Sequence, residues 1–128
     1  MEKYDALKLE KQLCFPLYAV SKEIVKKYKP FLDELDLTYT QYITMMVMWE
    51  HKEMNVKELG EHLEQKGWVK RNRAKEDERV LIVTLTTEGE KLRDKAVEIP
   101  QKVGGCVCLD QEEAASLYKI LYKILGNM

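Results

Sequence analysis

The stretch that decides the fold covers residues 68–86 and reads WVKRNRAKEDERVLIVTLT. Its last part, residues 80–86, is rich in β-branched side chains and lacks helical spacing, so it predicts a strand. Residues 68–73 are short and extended in character, and a polar loop over residues 74–78 separates the two parts. The sequence therefore predicts a β-hairpin with a charged tip.

Helical patterns come before this hairpin. Apolar residues recur at spacings of three and four over residues 7–28, which predicts a helix that we expect Pro30 to end. A short helix or turn follows over residues 31–37. Thr38 and Gln41 then form a capping-box pattern ahead of the apolar run 43–49, and this predicts a mostly buried helix.

Two further helices are predicted after the hairpin. Thr87 and Glu90 have the spacing of a capping box, and the helix behind them is expected to kink at Pro100. The glycines at 104 and 105 break it. A last helix begins with a capping box formed by Asp110 and Glu113. Its apolar side consists of Leu117, Ile120, Leu121, Ile124 and Leu125.

Composition bounds the class of protein. The 128 residues suffice for one domain, and the 21 basic and 22 acidic residues leave a net charge of −1. A nucleic-acid binder of this composition needs a local basic cluster. No apolar stretch approaches a membrane span, and the amino terminus lacks the apolar core of a signal peptide, so we expect a cytoplasmic protein. Three cysteines argue against a closed disulfide framework.

Several stretches resemble the MarR-type winged-helix regulators. Residues 75–86 are similar to the wing, with an Asp-x-Arg motif at Asp77 and Arg79 before a strand that ends in Leu-Thr. Residues 9–19, LEKQLCFPLYA, resemble the amino-terminal helix of the OhrR branch, the organic-hydroperoxide-sensing repressors whose reactive cysteine follows Gln-Leu. Residues 28–30 and 38–42, YKP and TYTQY, match the same branch.

This resemblance covers nearly the whole chain and implies its architecture. The fold class is mainly α with a small β-hairpin (α+β), a winged helix-turn-helix in one MarR-type domain over residues 1–128. The DNA-binding lobe is expected over residues 38–87. Helices within 5–36 and 88–126 are expected to form the interface of a homodimer. The structural alternative is a monomer whose terminal helices pack within their own chain.

The helix that reads DNA bases in this family is not evident in the sequence. Residues 58–63 resemble the first helix of the helix-turn-helix, and residues 64–69 resemble the end of the second helix and the start of the wing. Asn55 and Glu58 begin a helical pattern that continues without a turn signal until Gly67. About one helix is missing between Leu63 and Glu64. Either the sequence omits a segment or it carries a natural deletion; we favour omission.

Cys14 is the candidate redox sensor. It lies four residues before Tyr18, which places the two side chains on one helical face. A thiolate stabilised by hydrogen-bond donors is oxidised by peroxides to sulfenic acid. The resemblance implies that Tyr28 and Tyr39 of the partner subunit contact the thiol, with Tyr18 nearby. Read alone, a free cysteine is most often a small buried side chain, and the tyrosines are ordinary half-buried aromatics.

Cys106 and Cys108 follow the glycine pair at a helix end. Some members of the branch resolve the sulfenic acid with a second cysteine of the partner chain, and others use a low-molecular-weight thiol from the cell. Either cysteine is a candidate resolving residue, or both are incidental thiols. A Cys-x-Cys pair with only two histidines, His51 and His62, does not form a zinc site by spacing, and we predict no metal and no cofactor.

Basic residues concentrate in the hairpin and predict contacts with double-stranded operator DNA. Cations there neutralise phosphates, and an arginine at a strand tip can enter a narrow minor groove. The resemblance assigns Asp77 and Arg79 to this contact, with the carboxylate orienting the guanidinium. The alternative is a solvated turn whose charges partly cancel. The predicted DNA-binding wing comprises Lys70, Arg71, Arg73, Lys75, Asp77 and Arg79.

Together these features predict a transcriptional regulator, which we expect to be a repressor, that releases operator DNA when Cys14 is oxidised by organic hydroperoxides and a disulfide forms. Two other hypotheses remain. One is a MarR-type regulator that responds to small-molecule ligands or to general oxidative stress. The other is a thiol-dependent peroxide-scavenging enzyme, against which we count the lack of a sheet-rich scaffold and an expected position of Cys14 in the middle of a helix.

Overall fold

The computed structural model describes residues 2–54, 63–76, 79 and 81–127, and this part of the chain is mainly helical. The prediction of a mainly helical fold with one hairpin is confirmed. The start of the helix expected at Asn55 and Glu58 lies outside the described residues. The α-helices are α1 (Cys14–Asp33), α2 (Tyr39–His51), α3 (Thr87–Ala96), α4 (Ile99–Gly104) and α5 (Gln111–Gly126). The strands are β1 (Glu53–Met54), β2 (Val69–Arg73) and β3 (Leu81–Leu85).

The first helix begins at Cys14, so the predicted start at Leu7 was wrong. Two short 3-10 helices, Lys3–Leu7 and Leu9–Lys11, precede it. The apolar side chains of this segment have little of their own chain to pack against, since Leu7 is 77% and Leu13 75% exposed. Packing of an apolar face supplies most helical stability in proteins, and without it the spacing alone does not produce a helix.

Pro30 lies inside α1 and does not end it, which corrects a second prediction. A proline in a helix interior costs about 3 kcal/mol because it removes one hydrogen bond and crowds the preceding turn. The burial of Leu32 after the proline offsets this, since a fully buried leucine contributes about 1.5–3 kcal/mol. The chain leaves the helix through Asp36, whose φ of 54° is left-handed.

The second helix begins as its capping pattern predicts. The Thr38 hydroxyl accepts from the backbone N–H of Gln41 at 3.2 Å, and the Gln41 side chain accepts from the Thr38 N–H at 3.0 Å. Met45 and Met48 of this helix are fully buried at the centre of the core. The other buried apolar residues are Leu32, Leu35, Leu37, Tyr42, Leu63, Val69, Val83, Leu92, Ala96, Ile99 and Val103.

The hairpin forms as predicted, and a short strand that the sequence does not announce joins it. In the antiparallel sheet, β3 lies between β1 and β2. Arg71 pairs with Val83 across the hairpin, while Glu53 pairs with Thr84 on the other side of β3. Two residues are too few to show an alternating pattern, so β1 has no signature in the sequence.

The base of the hairpin is locked to the helices on both sides of it. Gly67, at φ +84°, ends the helical turn before β2 in a Schellman motif: the N–H of Trp68 donates to Leu63 O and that of Gly67 to Glu64 O. The Thr86 hydroxyl donates to Gly67 O at 2.6 Å and accepts from the Gly89 N–H at 3.0 Å. The cap of α3 is therefore Thr86 and not the predicted Thr87.

The carboxyl-terminal part follows the predicted breaks. The chain interrupts its helix between Ala96 and Ile99, just before Pro100, and α4 ends at Gly104. The capping box of Asp110 and Glu113 begins the last helix, as predicted. None of the residues of α5 is buried, and the side chains on its apolar side are partly to largely exposed.

Gly89 is expected to be the least replaceable glycine among those described. An added Cβ would overlap the backbone carbonyl of Trp68, whose carbon lies 2.8 Å away. Since backbone cannot move aside as a flexible side chain does, we expect Gly89→Ala to lower the free energy of unfolding by at least the 1–3 kcal/mol typical of overpacking. Urea denaturation measures this.

The matched control is Gly104→Ala, because a Cβ at Gly104 has no atom within 4 Å. This variant is expected to unfold at the same urea concentration as the wild type or slightly above it. Equal stability of the two alanine variants would contradict the prediction.

Candidate functional site

Cys14 is a free, exposed thiol at the first residue of α1. The expectation that it lies in the middle of a helix is therefore wrong. The irregular segment before it is held by Gln12, whose amide donates to Ala6 O at 2.7 Å and to Lys8 O at 2.9 Å. The thiol thus stands at a defined junction, open to solvent within its own chain.

The predicted tyrosines divide into two groups. Tyr18 is one turn from Cys14 and is 59% exposed. Tyr28 lies 14 positions beyond Cys14, about 21 Å along the helix axis, where it contacts Tyr39 with ring centroids 5.0 Å apart. One chain therefore does not bring Tyr28 or Tyr39 to its own Cys14.

A third tyrosine, Tyr42, completes the aromatic cluster and was not predicted as a site residue. Its ring centroid lies 5.7 Å from that of Tyr28 and 6.3 Å from that of Tyr39. Burial, and then the neighbouring phenols, raise the pKa of Tyr28 and of Tyr42 above the ordinary value. Helix α2 is apolar on most sides, so the sequence did not indicate which face holds the tyrosines.

Cys106 and Cys108 are exposed free thiols beside the middle of α1. They line an apolar groove of about 290 Å³ together with Ala19, Val20, Glu23, Ile24, Lys27 and Val107. Cys14 lies five residues before Ala19, which turns it about 140° around the helix axis from this groove. The structure does not bring either cysteine to Cys14 of the same chain.

The predicted wing residues differ in their surroundings. Lys70, Arg73, Lys75 and Arg79 are exposed, whereas Asp77 lies outside the described residues. Arg71 is half-buried, and its Nε and Nη2 donate to Glu64 Oε1 at 3.2 and 3.1 Å. Its backbone N–H donates to Glu64 Oε2 at 3.1 Å. This guanidinium already has a carboxylate partner within its own chain.

Sequence reasoning missed the two side chains that anchor the hairpin. The hydrogen bonds of the Arg71 side chain, and then of its backbone N–H, lower the pKa of Glu64 below the ordinary value. Two residues further on, Lys66 Nζ donates to Gln41 Oε1 at 2.9 Å and to the backbone oxygen of Asp36. Glu64 and Lys66 lie in a segment whose sequence indicates only a charged helix end. The partners of Lys66 are distant in sequence, and the partner of Glu64 lies across a turn.

Within the described ranges, no three side chains of His, Cys, Asp or Glu come together in a way that would hold a metal ion. In the same ranges no helix is long and apolar enough to cross a membrane. The features that the structure does offer are the exposed thiol, the tyrosine cluster and the cationic hairpin.

Comparison with known proteins gives two kinds of match. The family model "Transcriptional regulator SarA/Rot" matches residues 26–96. The organic hydroperoxide resistance transcriptional regulator of Bacillus subtilis is 42% identical, and the alignment covers 98% of this chain and 95% of the relative. That alignment spans 140 positions against the 128 residues of this chain, so at least 12 positions (140 less 128) have no counterpart here.

Solved structures agree with this match. Reduced AbfR bound to DNA is 30% identical with a TM-score of 0.73, and 98% of each chain is covered. The disulfide-formed state of AbfR gives a TM-score of 0.61 at 29% identity, with 98% of this chain and 95% of that chain covered. A mutant of MarR from E. coli, complexed with operator DNA, has a TM-score of 0.74 at 21% identity over 98% of this chain and 99% of that chain, a likeness of fold alone.

The Glu64–Arg71 contact predicts a pH dependence of stability. A carboxylate whose pKa is lowered on folding stabilises the folded state above its ordinary value of 4.5, and this contribution is lost as the pH falls through the lowered value. We therefore expect Glu64→Gln to be less stable than the wild type at neutral pH, with the difference narrowing in acid. Urea unfolding at a series of pH values measures it.

The matched variant Glu76→Gln changes an exposed carboxylate on the same hairpin and is expected to leave the neutral-pH stability unchanged. Wild type and Glu64→Gln of equal stability at neutral pH would show that the contact contributes nothing.

Proposed function

Because the chain belongs to the MarR family of winged-helix transcriptional regulators and to its OhrR branch, we propose that it is a DNA-binding repressor whose Cys14 senses organic hydroperoxides. The observation that carries the proposal is the exposed thiol of Cys14 at the start of α1, in a chain 42% identical to an organic hydroperoxide resistance regulator. Sensing requires a thiol that peroxide can reach, and Cys14 meets this condition.

The chemistry at Cys14 needs only the thiolate and the peroxide. The thiolate sulfur attacks an oxygen of the hydroperoxide, the O–O bond breaks, and the products are a sulfenic acid and an alkoxide that takes a proton to become the alcohol. A regulator carries this reaction out once per thiol and not as catalytic turnover.

We infer that a second copy of the chain completes the sensor. The amino-terminal segment and α5 leave large apolar side chains exposed, among them Leu7, Leu13 and Leu125. A symmetric dimer buries such surfaces and leads each subunit to contribute the same groups to its partner. In this arrangement Tyr28 and Tyr39 of the partner subunit donate hydrogen bonds to the Cys14 thiolate. Within one chain the same tyrosines are too far from Cys14 to do so.

The hairpin is the part of the described chain suited to DNA. Lys70, Arg73, Lys75 and Arg79 are exposed cations within ten positions, and such side chains neutralise phosphates. A symmetric dimer then matches an operator with two-fold symmetric half-sites. At least 12 positions of the alignment have no counterpart here, a number comparable with the one helix that we predict to be missing after Leu63. Peptide mapping of the natural protein by mass spectrometry decides between omission and deletion: a peptide in which Glu64 directly follows Leu63 means deletion, and additional residues between them mean omission.

Release of DNA requires more than the sulfenic acid. Moving an equilibrium from 99:1 to 1:99 needs about 5.5 kcal/mol of differential stabilisation, whereas one hydrogen bond contributes roughly 1 kcal/mol. We propose that the sulfenic acid condenses with a thiol, releasing water, and that this disulfide moves the lobes. The thiol comes from the partner's Cys106 or Cys108, or from a low-molecular-weight thiol. What motivates this step is that AbfR has been solved both reduced and bound to DNA and in a disulfide-formed state.

Replacing the sensor thiol tests the proposal directly. We expect Cys14→Ser to bind operator DNA like the reduced wild type and to remain bound after cumene hydroperoxide is added. Fluorescence anisotropy with a duplex selected from a random library follows binding, and intact mass follows oxidation. Cys106→Ser and Cys108→Ser keep Cys14, so their Cys14 is expected to be oxidised to the sulfenic acid like that of the wild type, whichever thiol then forms the disulfide. Release of DNA by Cys14→Ser in peroxide would refute the sensor.

Mixed dimers test the contact between subunits. A Tyr28→Phe homodimer is expected to oxidise Cys14 more slowly because each thiolate loses one donor. In a mixed dimer, one subunit carries Tyr28→Phe and keeps Cys14, and its partner carries Cys14→Ser and keeps Tyr28. We expect its Cys14 to oxidise at the wild-type rate, measured by trapping the sulfenic acid with dimedone. A slow mixed dimer would show that the tyrosine acts within one chain.

A further inference from the structure

Among the predicted wing residues that the structure describes, Arg71 is half-buried and the others are exposed. Arg71 lies at the centre of β2, which is an edge strand of the described sheet. The Glu64 carboxylate receives three hydrogen bonds from it, of 3.1, 3.2 and 3.1 Å, from the backbone N–H and from two guanidinium nitrogens. Both oxygens of one side chain are therefore committed to one residue of the strand.

This contact sets the direction of the hairpin. Glu64 belongs to the helical turn before Gly67, and Lys66 of the same turn is tied to the start of α2 through Gln41. The chain then reverses at Gly67, so the helical turn and β2 lie side by side. One polar contact thus joins α2 to the helical turn, and a second joins the same turn to the middle of the strand.

The cations beyond Arg71 depend on that direction. Lys75 lies four residues past Arg71 and two past the end of β2, so it is at most about 13 Å away along the chain. A rotation of about 10° at Arg71 would displace Lys75 by up to about 2 Å, enough to break a hydrogen bond to a phosphate oxygen. A loose hairpin base would scatter the exposed cations over many positions.

We propose that Arg71 is a positioning residue for DNA binding, which engages Glu64 in place of a phosphate and fixes the direction in which the hairpin presents its other cations. The inference rests on the proposed function. It removes Arg71 from the set of predicted phosphate contacts and adds Glu64 to the residues on which DNA binding depends. It also explains a carboxylate near a DNA-binding surface, because its charge is neutralised within the protein.

The sign of one substitution separates this role from simple electrostatics. Glu64→Gln removes a negative charge, which by itself would strengthen binding to a polyanion. The positioning role predicts the opposite, binding about fivefold weaker, of the order of one net hydrogen bond. Arg71→Lys keeps the charge without the planar fork, and it is expected to bind as weakly as Arg71→Ala. Binding is measured by fluorescence anisotropy with a labelled mixed-sequence DNA duplex.

The salt dependence of binding supplies the second readout. Each phosphate that a cation neutralises adds about 0.9 to the slope of log K against log salt concentration. We expect Arg71→Ala to lower affinity at every salt concentration with an unchanged slope. The matched control is Lys70→Ala, which removes an exposed cation one position earlier on the same strand. This control is expected to reduce the slope by about 0.9, the value for a single phosphate.

Three outcomes of the DNA-binding measurements would overturn the proposal: tighter DNA binding by Glu64→Gln, wild-type binding by Arg71→Lys, or a reduced salt slope for Arg71→Ala. Hydrogen exchange at the Arg71 amide, measured without DNA, tests its bond to Glu64 alone. It is expected to accelerate in Glu64→Gln, and an unchanged rate also refutes the proposal. A wild type that binds no DNA while this amide is protected would instead refute the proposed function.

Discussion

The close approach of Gly89 to the backbone of Trp68 is the constraint on which the described lobe depends. It brings the start of α3 against the residue that begins the hairpin. The carbonyl of the same glycine accepts from the Trp49 indole N–H at 2.9 Å, which joins α2 to this point. Thr86 closes the arrangement by bonding both Gly67 and Gly89. Two helices and the hairpin thus meet where one residue has no side chain.

The lobe around this junction is well packed, whereas the terminal segments are exposed, and the two parts have different roles in the proposed function. The lobe around Met45 and Met48 buries its apolar residues within one chain, whereas the amino-terminal segment and α5 leave theirs exposed. Cys14 stands in the open part, and Tyr28 and Tyr39 stand where the lobe begins. In the proposed dimer a chemical event at the thiol is therefore transmitted across subunits to the element that carries the hairpin.

Much of the fold follows from local chemistry. The capping boxes at Thr38 and Asp110 and the β-branched run of the hairpin each specify their element without help from distant residues. The helix start at Leu7 and the stop at Pro30 were wrong because tertiary burial decided both: it is absent at Leu7 and present beyond Pro30 at Leu32. A spacing pattern shows which face is apolar but not whether anything covers it.

The candidate site likewise contains residues that the sequence indicated and residues that it did not. Cys14 and the basic hairpin were indicated by the sequence, because reactive residue types and clusters of charge can be recognised without knowledge of the fold. The pairing of Glu64 with Arg71 and the burial of Tyr42 depend on which segments fold together, so the sequence carried no separate sign of them. Cys14 lies at a helix start because α1 begins there and not at Leu7, and tertiary burial decided that boundary.

The exposure of α5 has a consequence for how much protein a cell must hold. A helix of 16 residues with no buried side chain is marginal by itself in water. In the proposed dimer its order would draw on association with the second copy, so mass action would couple the fold of the carboxyl terminus to subunit abundance. Scarce protein would carry a frayed tail and an intact lobe, and the amount synthesised would set the fraction competent to grip two half-sites at once.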